Sequence, residues 1–242
     1  MILAVDAGNT RIKWGFHDGE AWRSMGAIPT AAAATLREVL RSSPAIDKAI
    51  ASNVAGPEVE KNIAEAGKRA GVEIAFIRSE RRQLGVENGY RDPGQLGTDR
   101  WAALIAAHHA LPSGQKLVVN AGTALTVDAL TSDGKFLGGL IVPGPALMRR
   151  SLDRGTAGLR LTEGALADFP QSTPDAITSG AIQAGVGAIE RLANLMAARG
   201  TPPGRIILSG GAAAEIAGSL SITTIHHENL VLDGLLLIAR NS

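Results

Sequence analysis

A short pattern that occurs once in each half of the chain constrains the fold most strongly. Residues 5–10 read VDAGNT and residues 119–124 read VNAGTA, each after one apolar strand pattern and before another. Three identities in six positions are weak evidence alone. The common strand–turn–strand context, followed each time by alternating strands and helices, favours duplication of one α/β unit. We therefore predict two similar α/β domains, residues 1–114 and 115–242, facing each other across a cleft.

Hydrophobic periodicity and turn residues predict the elements of each half. In the first half we expect three strands within 1–28, a helix over 30–43 capped by Thr30, a strand over 48–54, a helix over 58–71 and a strand over 72–77. A polar, glycine-rich segment over 79–99 then leads into a helix over 100–111. In the second half we expect strands within 116–144, helices near 145–153, 176–198 and 211–218, a strand over 205–211 and a closing helix over 230–240.

The composition excludes several classes of protein. Of 242 residues, 45% are hydrophobic and 19% are charged, which is typical of a globular chain. The formal net charge is +1 without a block of like charges, so neither a nucleic-acid nor a membrane partner is expected. The chain has no cysteine, which excludes disulfides and thiol catalysis. No signal-peptide pattern and no apolar run of about 20 residues is present, so we expect a cytoplasmic protein.

The first turn combines groups that suit a phosphate. A glycine turn can direct backbone N–H groups at an anion, and Asn9 and Thr10 add donors. The Asp6 carboxylate cannot bind phosphate directly, but it can hold a Mg²⁺ ion that lies between the carboxylate and the phosphate. Lys13 adds a positive charge for the phosphate. The alternative is a polar hairpin in which Asp6 accepts bonds from local amides. Neither the P-loop motif nor the dinucleotide GxGxxG motif is present.

Two further segments extend this hypothesis. The second turn, NAGTALT over 120–126, offers hydroxyls from Thr123 and Thr126, and two facing turns would form a clamp for a polyphosphate. The segment LSGGAA over 208–213 predicts a strand that leads into a glycine-rich helix N-terminus, where a nucleotide can approach the backbone.

The candidate catalytic segment is GTDRW over 97–101. It places Asp99 and Arg100 at the start of a helix, where a carboxylate can accept a proton from a hydroxyl and a guanidinium can hold an anion. The alternative is that Asp99 only caps the helix. The five histidines do not have the spacing of a metal site, and we expect them to be structural.

Seven motifs in order resemble those of the type III pantothenate kinases: DAGNTRIK, GYRDP, GTDRW, NAGTALTVD, GGLIVPG, STPDAITSGAIQAG and LSGG. The similarity runs from residue 2 to about residue 235. It implies the duplicated fold of the acetate kinase, sugar kinase, Hsp70 and actin superfamily, with ribonuclease H-like domains flanking a nucleotide cleft. It also implies a homodimer that uses ATP to phosphorylate the primary hydroxyl of pantothenate, which begins coenzyme A biosynthesis.

The resemblance assigns roles residue by residue. The ATP-binding residues would be Asp6, Ala7, Gly8, Asn9, Thr10, Arg11, Ile12, Lys13 and Thr123, with Mg²⁺ accompanying ATP. Pantothenate would be held by Tyr90, Gly97, Thr98, Asp99 and Arg100, and by Thr173 across the dimer interface, with Asp99 as the proton acceptor. Many members have an aspartate that ligates K⁺ or NH₄⁺ where this sequence has Asn120, so the sequence departs from the family at the monovalent-cation site.

Two other functions remain open from the residues alone. Another small-molecule kinase of the superfamily, such as a sugar kinase, would need several polar residues to read sugar hydroxyls. A non-catalytic regulatory protein on this fold would be expected to lose the phosphate turn or the base, and this chain retains both Asp6 and Asp99.

Overall fold

The structure is a computed structural model that describes residues 1–43, 45–111, 113–156, 158–159 and 162–242. It separates into two compact units. Unit 1 comprises Met1–Ala110 together with Asn229–Ser242, and unit 2 comprises Leu111–Glu228. The last residues of the chain therefore belong with the first unit, whereas the sequence pattern assigned them to the second domain.

Unit 1 is built on a five-stranded sheet. The strands of this sheet are β1 (Ile2–Ala7), β2 (Arg11–His17), β3 (Trp22–Pro29), β4 (Lys48–Asn53) and β5 (Ile74–Phe76). Two further strands, β6 (Arg82–Gln83) and β7 (Val86–Asn88), form a small hairpin outside this sheet. Its helices before the second unit are α1 (Leu36–Arg41), α2 (Pro57–Arg69) and α3 (Thr98–Ala110), with 3₁₀ helices at Thr30–Thr35 and Pro93–Gln95. The sheet order is β3-β2-β1-β4-β5, in which β1 is antiparallel to β2 and parallel to β4.

Unit 2 repeats this topology. Its strands are β8 (Lys116–Ala121), β9 (Ala124–Leu130), β10 (Lys135–Pro143), β11 (Arg205–Ser209) and β12 (Thr224–His226), and its helices are α4 (Pro145–Gly155), α5 (Thr173–Ala198) and α6 (Ala213–Ala217). Within this unit the strands follow the order β10-β9-β8-β11-β12, again with two antiparallel pairs and then two parallel pairs. The same order and the same strand directions in both units confirm the predicted duplication.

The predicted helix over 30–43 is wrong in its first part. Residues Thr30–Thr35 form a 3₁₀ helix, and α1 begins only at Leu36. Thr30 does not cap a helix, because its N–H donates to the Thr10 carbonyl (3.0 Å) and its hydroxyl to the Gly8 carbonyl (2.6 Å). These two bonds tie the segment to the β1–β2 turn.

The last helix, α7 (Leu230–Arg240), explains why the chain end belongs to unit 1. It packs against α3, β1 and β4 and is apolar around most of its circumference. The contact with α3 is close, because a Cβ at Gly234 would lie 1.9 Å from the carbonyl oxygen of Ala102. Only glycine allows the two helix backbones to approach this far.

The side chains of β1 alternate between the two faces of the sheet, and this determines on which face Asp6 lies. Leu3, Val5 and Ala7 point into a core that also contains residues of α1 and α2. Because successive side chains of a strand point to opposite faces, Asp6 lies on the other face of the sheet. No helix in the described ranges is both long and apolar enough to span a membrane.

Candidate active site

The β1–β2 turn has the exposed polar edge that phosphate binding requires. The Gly8 N–H donates to the Arg11 carbonyl (3.1 Å) and closes the turn, while Asn9, Thr10 and Arg11 are exposed. Ala7 and Ile12 were predicted to contact the nucleotide as well. Their side chains are fully buried in the core of unit 1, so only their backbone groups are available to a ligand.

Asp6 is half-buried, and one of its two carboxylate oxygens is fully enclosed. Its Oδ1 atom is inaccessible to solvent and, in the described part of the chain, accepts no hydrogen bond. Burial raises the pKa of Asp6 to about 7, the negative charge of Asp99 adds to the rise, and the ammonium of Lys13 opposes it. Lys13 is the register partner of Asp6 on β2. An unsatisfied carboxylate oxygen is a suitable ligand for Mg²⁺, so the residues present fit that ion.

Asp99 lies in the first turn of α3. Its Oδ1 atom accepts the N–H of the next residue, Arg100, at 2.8 Å and so satisfies one free N–H of the first turn, although Asp99 is the second residue of the helix and not its N-cap. Burial nevertheless raises the pKa of the Asp99 carboxyl, against the lowering effect of the Arg100 amide and charge. Asp99 is thus a partly buried acid with a raised pKa, which is the form of carboxylate that general bases often take. The bond to the Arg100 N–H and a catalytic role are therefore compatible.

Two neighbours of Asp99 restrict the position of its carboxylate. A Cβ at Gly97 would lie 2.6 Å from the Asp99 Oδ1 atom, so any larger residue at 97 would displace that oxygen. The Thr98 hydroxyl is 2.9 Å from the hydroxyl of Ser52, which is the register partner of Asp6 on β4. Ser52 was not predicted as a site residue. The available signal was that the apolar strand KAIASN, like β1, changes to polar residues at its carboxyl end.

Tyr90 and Arg100, which the sequence analysis grouped as substrate contacts, are in contact. Arg100 Nη1 donates to Tyr90 Oη at 3.1 Å, and the Arg100 Cζ atom is 5.7 Å from the centre of the tyrosine ring. Only 5% of Arg100 is exposed. A guanidinium and a phenol held together in this way suit the recognition of a carboxylate.

Unit 2 contributes the second glycine turn. The Gly122 N–H donates to the Ala124 carbonyl (3.0 Å), so this turn is one residue shorter than its counterpart in unit 1. Thr123 is exposed at the turn, and its carbonyl accepts the N–H of Gly144 (2.9 Å). Asn120 is the register partner of Thr126 on β9 and of Ser209 on β11.

Thr173 is the first residue of α5 and is exposed. The helix is capped by Ser172, whose hydroxyl accepts the N–H of Asp175 (3.3 Å). Thr173 and Thr123 belong to unit 2, as do Asn120, Thr126 and the segment 208–213. The predicted ATP contacts 6–13 and the pantothenate contacts Tyr90 and 97–100 belong to unit 1. In the described ranges no group of three or more His, Asp or Glu side chains is placed to hold a metal ion. The structural role of the histidines stays a prediction.

The duplicated topology defines the class of protein as one with the α/β actin-like fold. A putative 2-dehydro-3-deoxygalactonokinase from Sinorhizobium meliloti shares it with a TM-score of 0.63 and 15% identity over 100% of this chain and 99% of that one. A ROK family glucokinase from Streptomyces griseus has a TM-score of 0.53 at 14% identity, over 100% and 99% of the two chains. A putative Baf family transcriptional activator from Campylobacter jejuni has a TM-score of 0.61 at 20% identity, over 99% and 98%. At these identities the likeness concerns the fold alone.

Sequence comparison identifies the family. The type III pantothenate kinase family matches residues 2–195. The chain is 46% identical to a type III pantothenate kinase of Aromatoleum aromaticum, over 99% of this chain and 98% of that one. It is 44% identical to one of Nitrosospira multiformis, over 100% and 92%. The chain belongs to the type III pantothenate kinase family, as its motifs predicted.

Proposed function

We propose that this protein transfers the terminal phosphoryl group of ATP to the primary hydroxyl of pantothenate and so forms 4′-phosphopantothenate for coenzyme A biosynthesis. The observation that carries the proposal is the arrangement on α3. Asp99, a partly buried carboxylate with a raised pKa, stands next in sequence to Arg100, whose guanidinium contacts Tyr90. This combination provides a base for a hydroxyl and a cation for a carboxylate, and pantothenate carries both groups.

ATP binding is assigned to the first turn. The segment from Asp6 to Lys13 would receive the phosphates through the exposed donors of Asn9, Thr10 and the backbone, with Lys13 adding charge. Asp6 would hold Mg²⁺, which neutralises phosphate charge when it is bound. We assign Thr123 of unit 2 to ATP as well, because it is exposed at the equivalent turn.

Pantothenate binding is assigned to the segment from Gly97 to Arg100 and to Tyr90. Arg100 would pair with the substrate carboxylate, and Asp99 would accept the proton of the attacking hydroxyl. Gly97 leaves space for the Asp99 carboxylate, and the Thr98 hydroxyl fixes the start of α3 on β4.

The decisive test is ADP release by the purified protein with Mg-ATP and one acceptor at a time. We expect ADP with pantothenate and only background with glucose, glycerol or no acceptor. Turnover of glucose or glycerol instead would favour the sugar-kinase alternative. Absence of turnover with every acceptor, while ATP still binds, would favour a regulatory protein.

We also propose a homodimer that acts in the cytoplasm, with Thr173 contributing to the partner's pantothenate site. Exposed large apolar side chains support an interface on unit 2. Seven of the eight found in the described ranges belong to it: Leu137, Ile141, Leu147, Leu152, Leu166, Phe169 and Leu195. Thr173 follows four residues after Phe169, which is 90% exposed.

The residue at position 120, Asn120, affects how strongly we expect the activity to depend on a monovalent cation. A neutral amide oxygen binds a hard cation more weakly than a carboxylate does. We therefore expect less dependence on K⁺ than in members with aspartate, and we expect Asn120→Asp to increase that dependence. The measurement is activity titrated with KCl against a large organic cation at constant ionic strength. Strict K⁺ dependence of the unmodified protein would mean that other oxygens form the site.

A further inference from the structure

The loop that carries Tyr90 is held by one arginine side chain. Arg81 Nη1 donates to the carbonyl of Asn88 and to that of Tyr90, each at 2.8 Å, and Arg81 Nη2 donates to the carbonyl of Arg91 at 2.9 Å. The backbone of Arg81 adds a fourth bond, because its carbonyl accepts the N–H of Asn88 at 3.0 Å. Arg81 thus contacts three backbone positions around the tyrosine.

These bonds replace the regular structure that the loop lacks. Residues 89–92 belong to neither a helix nor a strand. Because these residues lack the backbone hydrogen bonds of a helix or a sheet, their carbonyl groups need other donors. A planar guanidinium can donate charge-assisted hydrogen bonds to several carbonyl groups at once. The buried side chain of Asn88 completes the clamp, because its Oδ1 atom accepts the N–H of Tyr90 at 3.0 Å and its amide donates to the Pro93 carbonyl at 3.2 Å.

The position of the Tyr90 backbone then decides where its hydroxyl lies. That hydroxyl accepts the bond from Arg100 Nη1, so a displacement of the loop would move the phenol away from the guanidinium. Arg81 is thereby connected, through Tyr90, to Arg100, to which we assign the substrate carboxylate.

We propose that Arg81 is a positioning residue that fixes Tyr90, and through it Arg100, for recognition of the pantothenate carboxylate. The inference rests on the proposed function, in which Tyr90 and Arg100 bind pantothenate. The next residue along the chain provides a control for the substitution of Arg81. Arg82, the next residue, pairs with Glu87 across the β6–β7 hairpin at 2.6 Å. The two arginines are adjacent and both exposed, so their substitutions differ mainly in the loop contacts.

The experiment compares Arg81→Ala, Arg81→Lys and Arg82→Ala in steady-state kinetics with both substrates. Loss of several charge-assisted bonds should raise the pantothenate KM of Arg81→Ala by about tenfold or more while the ATP KM stays within about twofold. Arg81→Lys keeps the charge but not the planar fork, so it should fall between Arg81→Ala and the unmodified protein. Arg82→Ala should resemble the unmodified protein. Millimolar guanidinium should lower the pantothenate KM of Arg81→Ala and leave that of Arg82→Ala unchanged.

The outcomes separate the two proposals. If the unmodified protein does not phosphorylate pantothenate, the proposed function fails, and this inference fails with it. If it does, equal pantothenate KM values for Arg81→Ala and Arg82→Ala would overturn the inference alone. Equal rises in the KM of both substrates would also overturn it, because a general defect in folding would then explain the effect. Should Arg81→Ala fail to fold, Arg81→Lys decides by the same comparison.

Discussion

Asp6 and Asp99 are both acids with raised pKa values in unit 1, but their surroundings differ. Among the residues that the structure describes, none donates to the Asp6 Oδ1 atom, whereas Asp99 accepts a helix N–H. Paired carboxylates in different environments often divide their roles between them. The difference supports assigning Asp6 to the metal and Asp99 to the substrate hydroxyl.

The first prediction concerns Asp99→Asn. General bases typically contribute about 10²–10⁴-fold, so kcat should fall by a factor in this range. The amide oxygen can still accept the Arg100 N–H, and the helix should therefore remain intact. Steady-state kinetics, with binding of a non-hydrolysable ATP analogue as the control, measure this effect. A variant with nearly unchanged kcat would leave Asp99 only the role of a cap.

A second prediction follows from the pKa of Asp6. The pKa of about 7 in the folded protein lies above the ordinary aspartate pKa of 3.8, so the folded protein binds an extra proton between these pH values. The free energy of unfolding of the nucleotide-free protein should therefore decrease as the pH rises from about 4 to about 7, by at most about 4 kcal/mol. Asp6→Asn should flatten this slope.

Urea unfolding in the presence of EDTA, repeated across that pH range, measures the slope for both proteins. The chelator is needed because a bound cation would lower the pKa of Asp6 and mask the effect. Identical slopes for the unmodified protein and for Asp6→Asn would contradict the assignment.

Among the elements, the pair α3 and α7 holds the candidate base in place. Helix α3 carries Asp99 at its first turn, and its apolar residues pack against α7. A helix that is apolar nearly all round must be buried, and the close contact at Gly234 shows how this is achieved here. The packing of α3 against α7 therefore affects the position of Asp99 indirectly.

The third prediction is that Gly234→Ala destabilises the protein. The added Cβ would meet the backbone of Ala102, which cannot move aside as a flexible side chain would. Forced overpacking typically costs about 1–3 kcal/mol, occasionally more. The matched control is Gly187→Ala within α5, where nothing lies within 4 Å of the added Cβ. That change should be neutral or stabilising, because alanine favours a helix over glycine.

Denaturant unfolding of both glycine variants provides the measurement. A loss of stability for Gly187→Ala equal to that for Gly234→Ala would show that the close approach of the two helices is not the cause.

For the assembled protein, the fourth prediction concerns the dimer. The unmodified protein should sediment as a dimer, and Phe169→Asp should shift it towards monomers with reduced activity. A charge placed in an apolar interface loses hydration without gaining a partner. Met25→Asp is the control, since Met25 is also an exposed apolar residue (44%) but lies in unit 1. An active monomer at assay concentrations would reject the dimer and the role of Thr173 in it.

Local patterns were sufficient for the duplicated topology and for where the candidate site residues lie along the strands, turns and helices, whereas the roles of these residues stay predictions. Strand alternation, turn residues and the repeated VDAGNT and VNAGTA segments depend on neighbours in the chain, so they can be read without a structure. The same holds for the placement of Asp6 at a turn and of Asp99 at a helix start. The strands β6, of two residues, and β7, of three residues, were missed, because so short a segment has no periodicity to detect.

Contacts between distant residues had to come from the folded structure. The pattern of α7 predicts that the helix is buried, but not that it packs against α3 in the first unit, because an apolar surface does not specify its partner. The burial of Ile12, a predicted ATP contact, depends on which face of the sheet is covered. Arg81 and Arg82 are identical residues in sequence, and only the path of the loop around residue 90 gives the first of them three carbonyl partners and the second an ion pair.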